Sequence, residues 1–187
     1  MPDFRLQHFD TLDSTNTYLI QQAGLGEEEG LVVVTDYQTA GRGRFEKVWV
    51  SPPGLNLLFS ILLRPSIPPS KAPLLTQIIC RSIAGVLEND YGLACTLKKP
   101  NDILVNGKKI CGILVEASTR QKQLESVVVG VGLNVNAALK DLPPEATSIQ
   151  AVQKKGLVAR EALLQQILAA FREDLRPIYQ QTSDQKH

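Results

Sequence analysis

The first polar segment that could do chemistry is Ser14-Thr15-Asn16. Hydroxyl and amide side chains are preferred as N-caps, so this segment predicts the start of a helix. The N–H groups at a helix N-terminus can also bind the polar head of a ligand. The sequence leaves both interpretations open: a cap alone, or a cap that also touches a ligand.

A second segment alternates glycine with arginine, from Gln38 through Gly41, Arg42 and Gly43 to Arg44. Glycine lets the backbone approach an anion closely, and arginine offers a planar set of donors to phosphate or carboxylate. The segment matches neither the phosphate-binding loop ending in Gly-Lys-Ser/Thr nor the Gly-x-Gly-x-x-Gly pattern. It predicts either an anion-binding loop or a flexible basic surface loop.

A third segment places Asn101 and Asp102 after Pro100, shortly before Lys108 and Lys109. Such residues beside a proline usually form a turn, and lysines after a hairpin are usually solvated. However, the Asp102 carboxylate could hold a divalent cation, and Asn101 could bind a ribose or an adenine edge. The two lysines could then be directed at a phosphoryl group.

The fourth segment is the apolar run 129–136, which contains Gly130 and Gly132. Glycine weakens a strand by about 0.5–1 kcal/mol relative to alanine. The pair therefore predicts a bulge or the close approach of a ligand, or else close packing of a long helix on the sheet.

The elements that must position these segments follow from hydrophobic patterning. Asn106-Gly107 predicts the turn of a hairpin over 103–111, because it suits the two positive-φ positions of a type I′ turn. The other elements follow in chain order. They are an edge strand 4–10, a helix to about 23, a strand 31–35, a loop 36–48, strands 55–63, 112–117 and 124–135, helices 71–89 and 159–179, and a tail 180–187. The order predicts a single α+β domain over 1–187, with a mixed, mostly antiparallel sheet and helices on one face.

Composition excludes several classes of protein. The 187 residues carry a net charge of +1 and are 43% hydrophobic, which is too apolar for a disordered chain and too neutral for one that coats nucleic acid. The three cysteines lack metal-site spacing and are interpreted as reduced core thiols. Without a leader-like N-terminus or a membrane-length apolar run, we expect a soluble, cytoplasmic protein that makes no membrane contact.

Taken in chain order, the four segments resemble the catalytic core of the biotin protein ligases. The segments that carry the resemblance are 13–16, 38–44, Trp49 with 51–54, 100–102, 108–109 with 112–116, and 130–134. The resemblance implies the α+β fold that this family shares with class II aminoacyl-tRNA synthetases and lipoyl ligases.

The resemblance also implies an activity. Family members activate biotin with ATP and Mg²⁺ to biotinyl-5′-AMP and then pass the biotinyl group to a lysine of a biotin carboxyl carrier protein domain, usually in acetyl-CoA carboxylase. The first step brings a carboxylate in line with the α-phosphate of ATP, so catalysis rests on positioning and charge stabilisation.

The resemblance assigns roles to individual residues, with Lys109 and Arg44 as the catalytic pair. The implied biotin-binding residues are Ser14, Thr15, Asn16, Gln38, Gly41, Arg42, Arg44, Lys109, Gly112, Leu114, Gly130 and Gly132. The implied ATP-binding residues are Arg42, Lys47, Trp49, Asn101, Asp102, Lys109 and Asn134, with Asp102 as the Mg²⁺ ligand. The loop that carries Arg42 and Arg44 is expected to fold over biotin and the adenylate.

Two positions depart from the family pattern. Lys99 stands where an aromatic residue is usual, and Glu46 stands where glycine is usual, which predicts weaker nucleotide affinity. The chain also begins close to the core and stops soon after the last helix, so we expect neither the DNA-binding winged helix nor the small C-terminal β-domain. A homodimer through sheet edges, with strand 55–63 as a candidate, is a further expectation.

Three other functions remain open on the sequence. A lipoate or octanoate ligase would share the fold but would not need head-group partners such as Gln38. A binding-only paralogue would bind biotin without ATP turnover. Nucleic-acid binding by the arginine-glycine loop is the third alternative, disfavoured by the near-neutral charge.

Overall fold

The computed structural model describes residues 1–45 and 47–180. The predicted tail therefore lies outside the described residues from position 181 onward. The strands are β1 (Arg5–Leu12), β2 (Leu31–Gln38), β3 (Leu57–Leu63), β4 (Cys95–Lys98), β5 (Asp102–Val105), β6 (Lys108–Arg120) and β7 (Gln123–Leu133). The α-helices are α1 (Thr15–Gly24), α2 (Pro73–Asn89), α3 (Ile149–Gln153) and α4 (Arg160–Gln180).

All seven strands form one sheet in the order β1-β2-β3-β7-β6-β5-β4. β1 pairs with β2 in parallel, and every other neighbouring pair is antiparallel. The predicted α+β class with a mixed, mostly antiparallel sheet is therefore confirmed.

The strand predicted as a candidate dimer edge lies in the interior of the sheet. β3 pairs with β2 on one side and β7 on the other, and all seven of its residues are buried. The suggestion that strand 55–63 offers a free edge is wrong, because its backbone groups are already paired. The edge strands are β1 and β4.

Alternating side chains give the sheet two different faces. Val32, Phe59 and Val129 belong to the main core, which also includes buried residues of α2 and α4. Leu62 and Val128 project to the opposite face, where they form a smaller cluster with residues of α1. The prediction that helices cover one face holds for α2 and α4, whereas α1 packs on the other face.

The helices and strands that were predicted correctly are those with a clear turn motif or a clear periodicity in the sequence. Asn106 and Gly107 have φ angles of 51° and 76°, so the predicted type I′ chemistry does join β5 to β6. The two long helices lie within two residues of their predicted bounds. β4 and α3 were not predicted, because a mostly exposed four-residue strand and a five-residue helix give no readable period.

No α-helix in residues 1–45 and 47–180 combines the length and apolar character that a membrane crossing would need.

Candidate functional site

A cavity of about 470 Å³ opens on the α1 side of the sheet, a volume typical of small-molecule sites. It brings together the residues that the sequence singled out from the four separate segments. The predicted site residues that line it are Ser14, Thr15, Asn16, Gln38, Arg42, Arg44, Lys47, Trp49, Asn101, Asp102, Lys109, Gly112, Leu114, Gly130, Gly132 and Asn134. Gly41 is buried beside it without lining it.

The N-terminus of α1 forms one polar wall of the cavity. Ser14 is the N-cap, and its Oγ accepts a hydrogen bond from the Thr17 backbone N at 3.4 Å, so the capping interpretation is confirmed. The Thr15 backbone N and Oγ1 donate to Gln38 Oε1 at 2.9 and 3.1 Å. Gln38 is thus fixed through its oxygen, which leaves its amide nitrogen as a donor for a ligand.

Asn16 is seated against Gly130. Its Nδ2 donates to the Leu114 carbonyl at 3.2 Å and to Glu116 Oε2 at 2.7 Å, while its Oδ1 accepts from Ser60 Oγ. A Cβ at Gly130 would overlap the Asn16 amide. The amide of Asn16 therefore forms hydrogen bonds to β3 and β6 and packs against Gly130 of β7.

Two glycines on neighbouring strands create a flat patch beside this seat. Gly112 and Gly132 lie directly opposite each other in the β6–β7 register, and the indole of Trp49 covers both. A Cβ at Gly112 would lie 2.8 Å from Trp49 Cζ3. The alternative that the strand glycines serve packing of a long helix is wrong, because α2 and α4 lie on the other face, with Val129 and Val131.

The arginine-glycine segment is more ordered than the predicted loop. Arg42 forms an isolated antiparallel bridge with Val48, and the Trp49 backbone N donates to the Gly41 carbonyl at 2.9 Å. Phe45 at its tip is 83% exposed and has a positive φ of 54°. The departure at Glu46 lies outside the described residues.

The two arginines of this loop are held differently. Arg42 Nη2 lies 2.7 Å from Glu116 Oε2 and forms an ion pair with it. The guanidinium carbon of Arg44 stands 4.9 Å from the centroid of the Phe45 ring. Arg44 has no ion pair with a described residue, so its charge is available to an anion.

The hairpin of β5 and β6 supplies a carboxylate and an ammonium group to the cavity. Lys109 Nζ lies 2.8 Å from Asp102 Oδ1 and 5.3 Å from the centroid of the Trp49 ring. Asp102 Oδ1 is buried and has no hydrogen bond with the described residues, so its contact with Lys109 is an ion pair. Lys108 is exposed and lies outside the lining, so only one of the two lysines faces the cavity.

The two asparagines assigned to ATP differ in their freedom. Asn101 Nδ2 donates to the Ile113 carbonyl at 2.7 Å, which leaves its Oδ1 free among the described residues. Asn134 is only 2% exposed, accepts from Asn56 at 3.2 Å and donates to the Thr147 carbonyl at 3.0 Å. Lys99, the other departure, is exposed and does not line the cavity.

The charge of the cavity is positive although the chain is nearly neutral. The basic residues in its lining are Arg42, Arg44, Lys47, Lys98 and Lys109, and the acidic ones are Asp102 and Glu145. An excess of cationic donors around a concave site favours an anionic ligand.

Three residues that shape this site had no predicted role, although one of them, Glu116, ends the segment 112–116 that carries the resemblance. Ser60 and Asn56 are both 0% exposed and bond to Asn16 and Asn134 respectively. Glu116 holds Arg42 and Asn16 together. A lone serine within an apolar strand was the one readable signal, since a buried hydroxyl requires a partner.

The cysteines take no part in the site. Cys80 and Cys111 are buried, and Cys95 is partly buried. Burial raises the pKa of the Cys80 thiol, and likewise that of Cys95, to about 11. Their interpretation as reduced core thiols agrees with this environment.

Comparison with known proteins identifies relatives of the chain. The biotin/lipoate A/B protein ligase family model matches residues 8–134. The bifunctional ligase/repressor BirA of Bacillus subtilis is 40% identical over 176 residues, which cover 91% of this chain and 54% of the relative. The biotin–[acetyl-CoA-carboxylase] ligase of Mycobacterium tuberculosis is 34% identical over 143 residues, covering 73% and 51%.

A solved structure agrees with these relatives. The biotin protein ligase from Aquifex aeolicus in complex with biotin and ATP matches with a TM-score of 0.79 at 29% identity, covering 94% of this chain and 72% of that one. The resemblance to biotin protein ligases that the motifs indicated is therefore confirmed. The chain spans about half the length of the curated relatives it matches.

Proposed function

Because the chain belongs to the biotin/lipoate A/B protein ligase family, we propose that it activates biotin with ATP to biotinyl-5′-AMP and transfers the biotinyl group to a lysine of a carrier domain. One observation carries this proposal. A single cavity is lined by the hydrogen-bonding pair Thr15 and Gln38, by the flat glycine patch, and by the Lys109–Asp102 pair.

The polar wall suits the head group of biotin. The ureido ring has a carbonyl oxygen and two N–H groups. The Gln38 amide nitrogen would donate to the carbonyl oxygen, and one N–H would donate to the Ser14 hydroxyl oxygen. The rest of the ring system needs a flat apolar surface, and Gly112 with Gly132 provides one once Trp49 yields its place. Asn16 fixes the geometry of this wall through its bonds to the sheet.

The opposite part of the cavity suits a nucleotide. Lys109, Arg44 and Lys47 would stabilise the negative charge of the phosphates, and the free Oδ1 of Asn101 would accept from the ribose or the base. Positioned cations of this kind account for most of the catalysis in phosphoryl and adenylyl transfer.

The residues around Asp102 fit a magnesium ion. Its buried Oδ1 is paired with Lys109 Nζ at 2.8 Å but has no hydrogen bond with the described residues, and carboxylate oxygens are the ligands that Mg²⁺ prefers. When bound, Mg²⁺ would neutralise phosphate charge, while Lys109 would turn from Asp102 toward the reacting groups.

The chemistry proceeds in two steps. A carboxylate oxygen of biotin attacks the α-phosphorus of ATP, a C–O–P anhydride forms, and pyrophosphate leaves. Lys109 and Arg44 stabilise the charge that grows on the phosphoryl oxygens during this step. The neutral amine of an acceptor lysine then attacks the acyl carbon, an amide forms, AMP leaves with the bonding electrons, and the nitrogen releases one proton to water.

Several finer assignments belong to the same proposal. The acceptor would be a biotin carboxyl carrier protein domain, supported by the relative named biotin–[acetyl-CoA-carboxylase] ligase. The protein would act in the cytoplasm. The single-domain organisation and a homodimer stay predictions. The expected absence of DNA binding also stays a prediction, since the relatives include a protein named ligase/repressor.

A transfer assay tests the proposal. The protein, ATP, Mg²⁺ and a purified carrier domain are incubated with biotin, and the carrier is weighed by mass spectrometry. A gain of one biotinyl group supports the proposal, and competition by lipoate or octanoate at equal concentration should leave that gain unchanged. Preferential transfer of lipoate or octanoate would show that the substrate is not biotin. Biotin binding without any transfer would favour the binding-only paralogue.

A further inference from the structure

Glu116 on β6 joins two parts of the site without lining the cavity itself. Its Oε2 lies 2.7 Å from Arg42 Nη2 in the loop and 2.7 Å from Asn16 Nδ2 at the start of α1. The same carboxylate oxygen therefore ties the arginine-glycine loop to the polar wall. A bond to an ionised group is roughly twice as strong as a neutral one.

The loop has few other attachments to the body of the protein. Its own backbone bonds are internal: Gly43 N to Lys47 O, Lys47 N to Arg44 O, and Trp49 N to Gly41 O. Among the described residues 41–45 and 47–49, side-chain contacts to the sheet include the Arg42–Glu116 pair, the Trp49 indole over the glycines, and Lys109 Nζ 5.3 Å from the centroid of the Trp49 ring. When a ligand takes the glycine patch, the Arg42–Glu116 pair becomes the principal attachment.

We propose that Glu116 is a positioning residue that holds Arg42, and with it residues 41–45 and 47–49 of the loop, in place over the cavity. This inference rests on the proposed function, since biotin is the ligand that the loop would enclose. Glu116 acts through Arg42 and touches no substrate. Ser60 extends the same chain of contacts to the other side of Asn16, where its Oγ also lies 2.7 Å from Thr15 Oγ1.

The first measurement is hydrogen exchange of the ligand-free protein. Glu116→Ala should speed the exchange of the amides in 41–45 at least several-fold, because Arg42 loses its ion pair with β6 while the Trp49 indole still covers the glycines. Glu125→Ala is the matched control: Glu125 lies on the same hairpin in a looser ion pair, 3.8 Å from Arg120, and its removal should leave the loop unchanged. Unchanged loop exchange in Glu116→Ala would overturn the proposal.

The second measurement is a double-mutant cycle on biotin affinity, read by calorimetry. Glu116→Ala should weaken binding about tenfold in the wild-type background and less than twofold in the Arg42→Ala background. Glu116→Gln, which keeps an acceptor for Asn16, should fall between wild type and Glu116→Ala. An equal loss in both backgrounds would show that Glu116 acts through Asn16 alone and would overturn the proposal, as would tighter binding in Glu116→Ala.

The two measurements separate this inference from the proposed function. Failure of the wild-type protein to bind biotin would count against the proposed function, whereas the exchange measurement needs no ligand and still decides whether Glu116 holds the loop.

Discussion

Replacing Gly130 by alanine should destabilise the protein substantially, because the new methyl group would occupy the place of the Asn16 amide. A Cβ at this position would overlap the amide carbon, oxygen and nitrogen of Asn16. Those atoms cannot simply swing aside, since they are bonded to Ser60, to the Leu114 carbonyl and to the Glu116 carboxylate.

The magnitude follows from the bonds that must break. Each neutral hydrogen bond contributes about 0.5–1.5 kcal/mol, and the bond to a charged partner about 1.5–3 kcal/mol. Alanine regains about 0.5–1 kcal/mol of backbone entropy in a strand. We therefore expect the free energy of unfolding to fall by about 2–5 kcal/mol, which corresponds to a drop in Tm of roughly 4–20 °C for a domain of this size.

Urea unfolding followed by circular dichroism measures this loss, with Gly85→Ala as the matched control. Gly85 lies within α2, and a Cβ there would have no heavy atom within 4 Å. That substitution should raise stability by about 0.5–1 kcal/mol, as expected for glycine to alanine in a helix. Equal stability of Gly130→Ala and wild type would refute the seating of Asn16 against the sheet.

Three further outcomes are expected. Trp49 is the sole tryptophan of the chain and covers the glycine patch, so biotin should change its fluorescence emission; a titration that leaves the spectrum unmoved would contradict the placement of the ligand there. Because burial raises the pKa of Cys80 and of Cys95 to about 11, both thiols stay protonated at pH 8, and iodoacetamide should label the native protein far more slowly than the urea-unfolded chain. Equal rates, followed by mass spectrometry, would argue against this burial. Asp102→Asn should lower adenylate formation at least tenfold at limiting Mg²⁺ while biotin affinity stays within twofold, and a variant as active as wild type would remove Asp102 as a metal ligand.

The sequence predicted the components of the site better than their mutual contacts. A glycine within an apolar strand indicates an unusual backbone contact, and arginines between glycines indicate a local positive charge. Residues such as Gly132 and Arg42 could therefore be predicted as site residues from their neighbours in the sequence. The residue that each of them contacts depends on how neighbouring strands are aligned in the sheet. Gly112 lies opposite Gly132 only because β6 and β7 pair as they do, and no local pattern shows that Trp49 covers both.

The fold differs from the sequence prediction at two points, both of which depend on contacts between distant segments. The density of apolar residues predicted a strand at 55–63, but an edge strand and a central strand differ in what pairs with the backbone, and β3 has a neighbour on both sides. Helical periodicity located α2 and α4, yet it does not say which face of the sheet a helix covers. α1 reached the opposite face because Leu31 and Val33 alternate with the residues of the main core.

The central claim is that Lys109 serves adenylate formation in this cavity. Its most direct test is mass spectrometry of biotinyl-5′-AMP after incubation with biotin, ATP and Mg²⁺, comparing wild type, Lys109→Ala and the adjacent exposed Lys108→Ala. We expect adenylate from wild type and from Lys108→Ala, and at least a hundredfold less from a folded Lys109→Ala protein, because a preorganised charge is lost. Adenylate at the wild-type level from Lys109→Ala, or none from the wild-type protein, would contradict it.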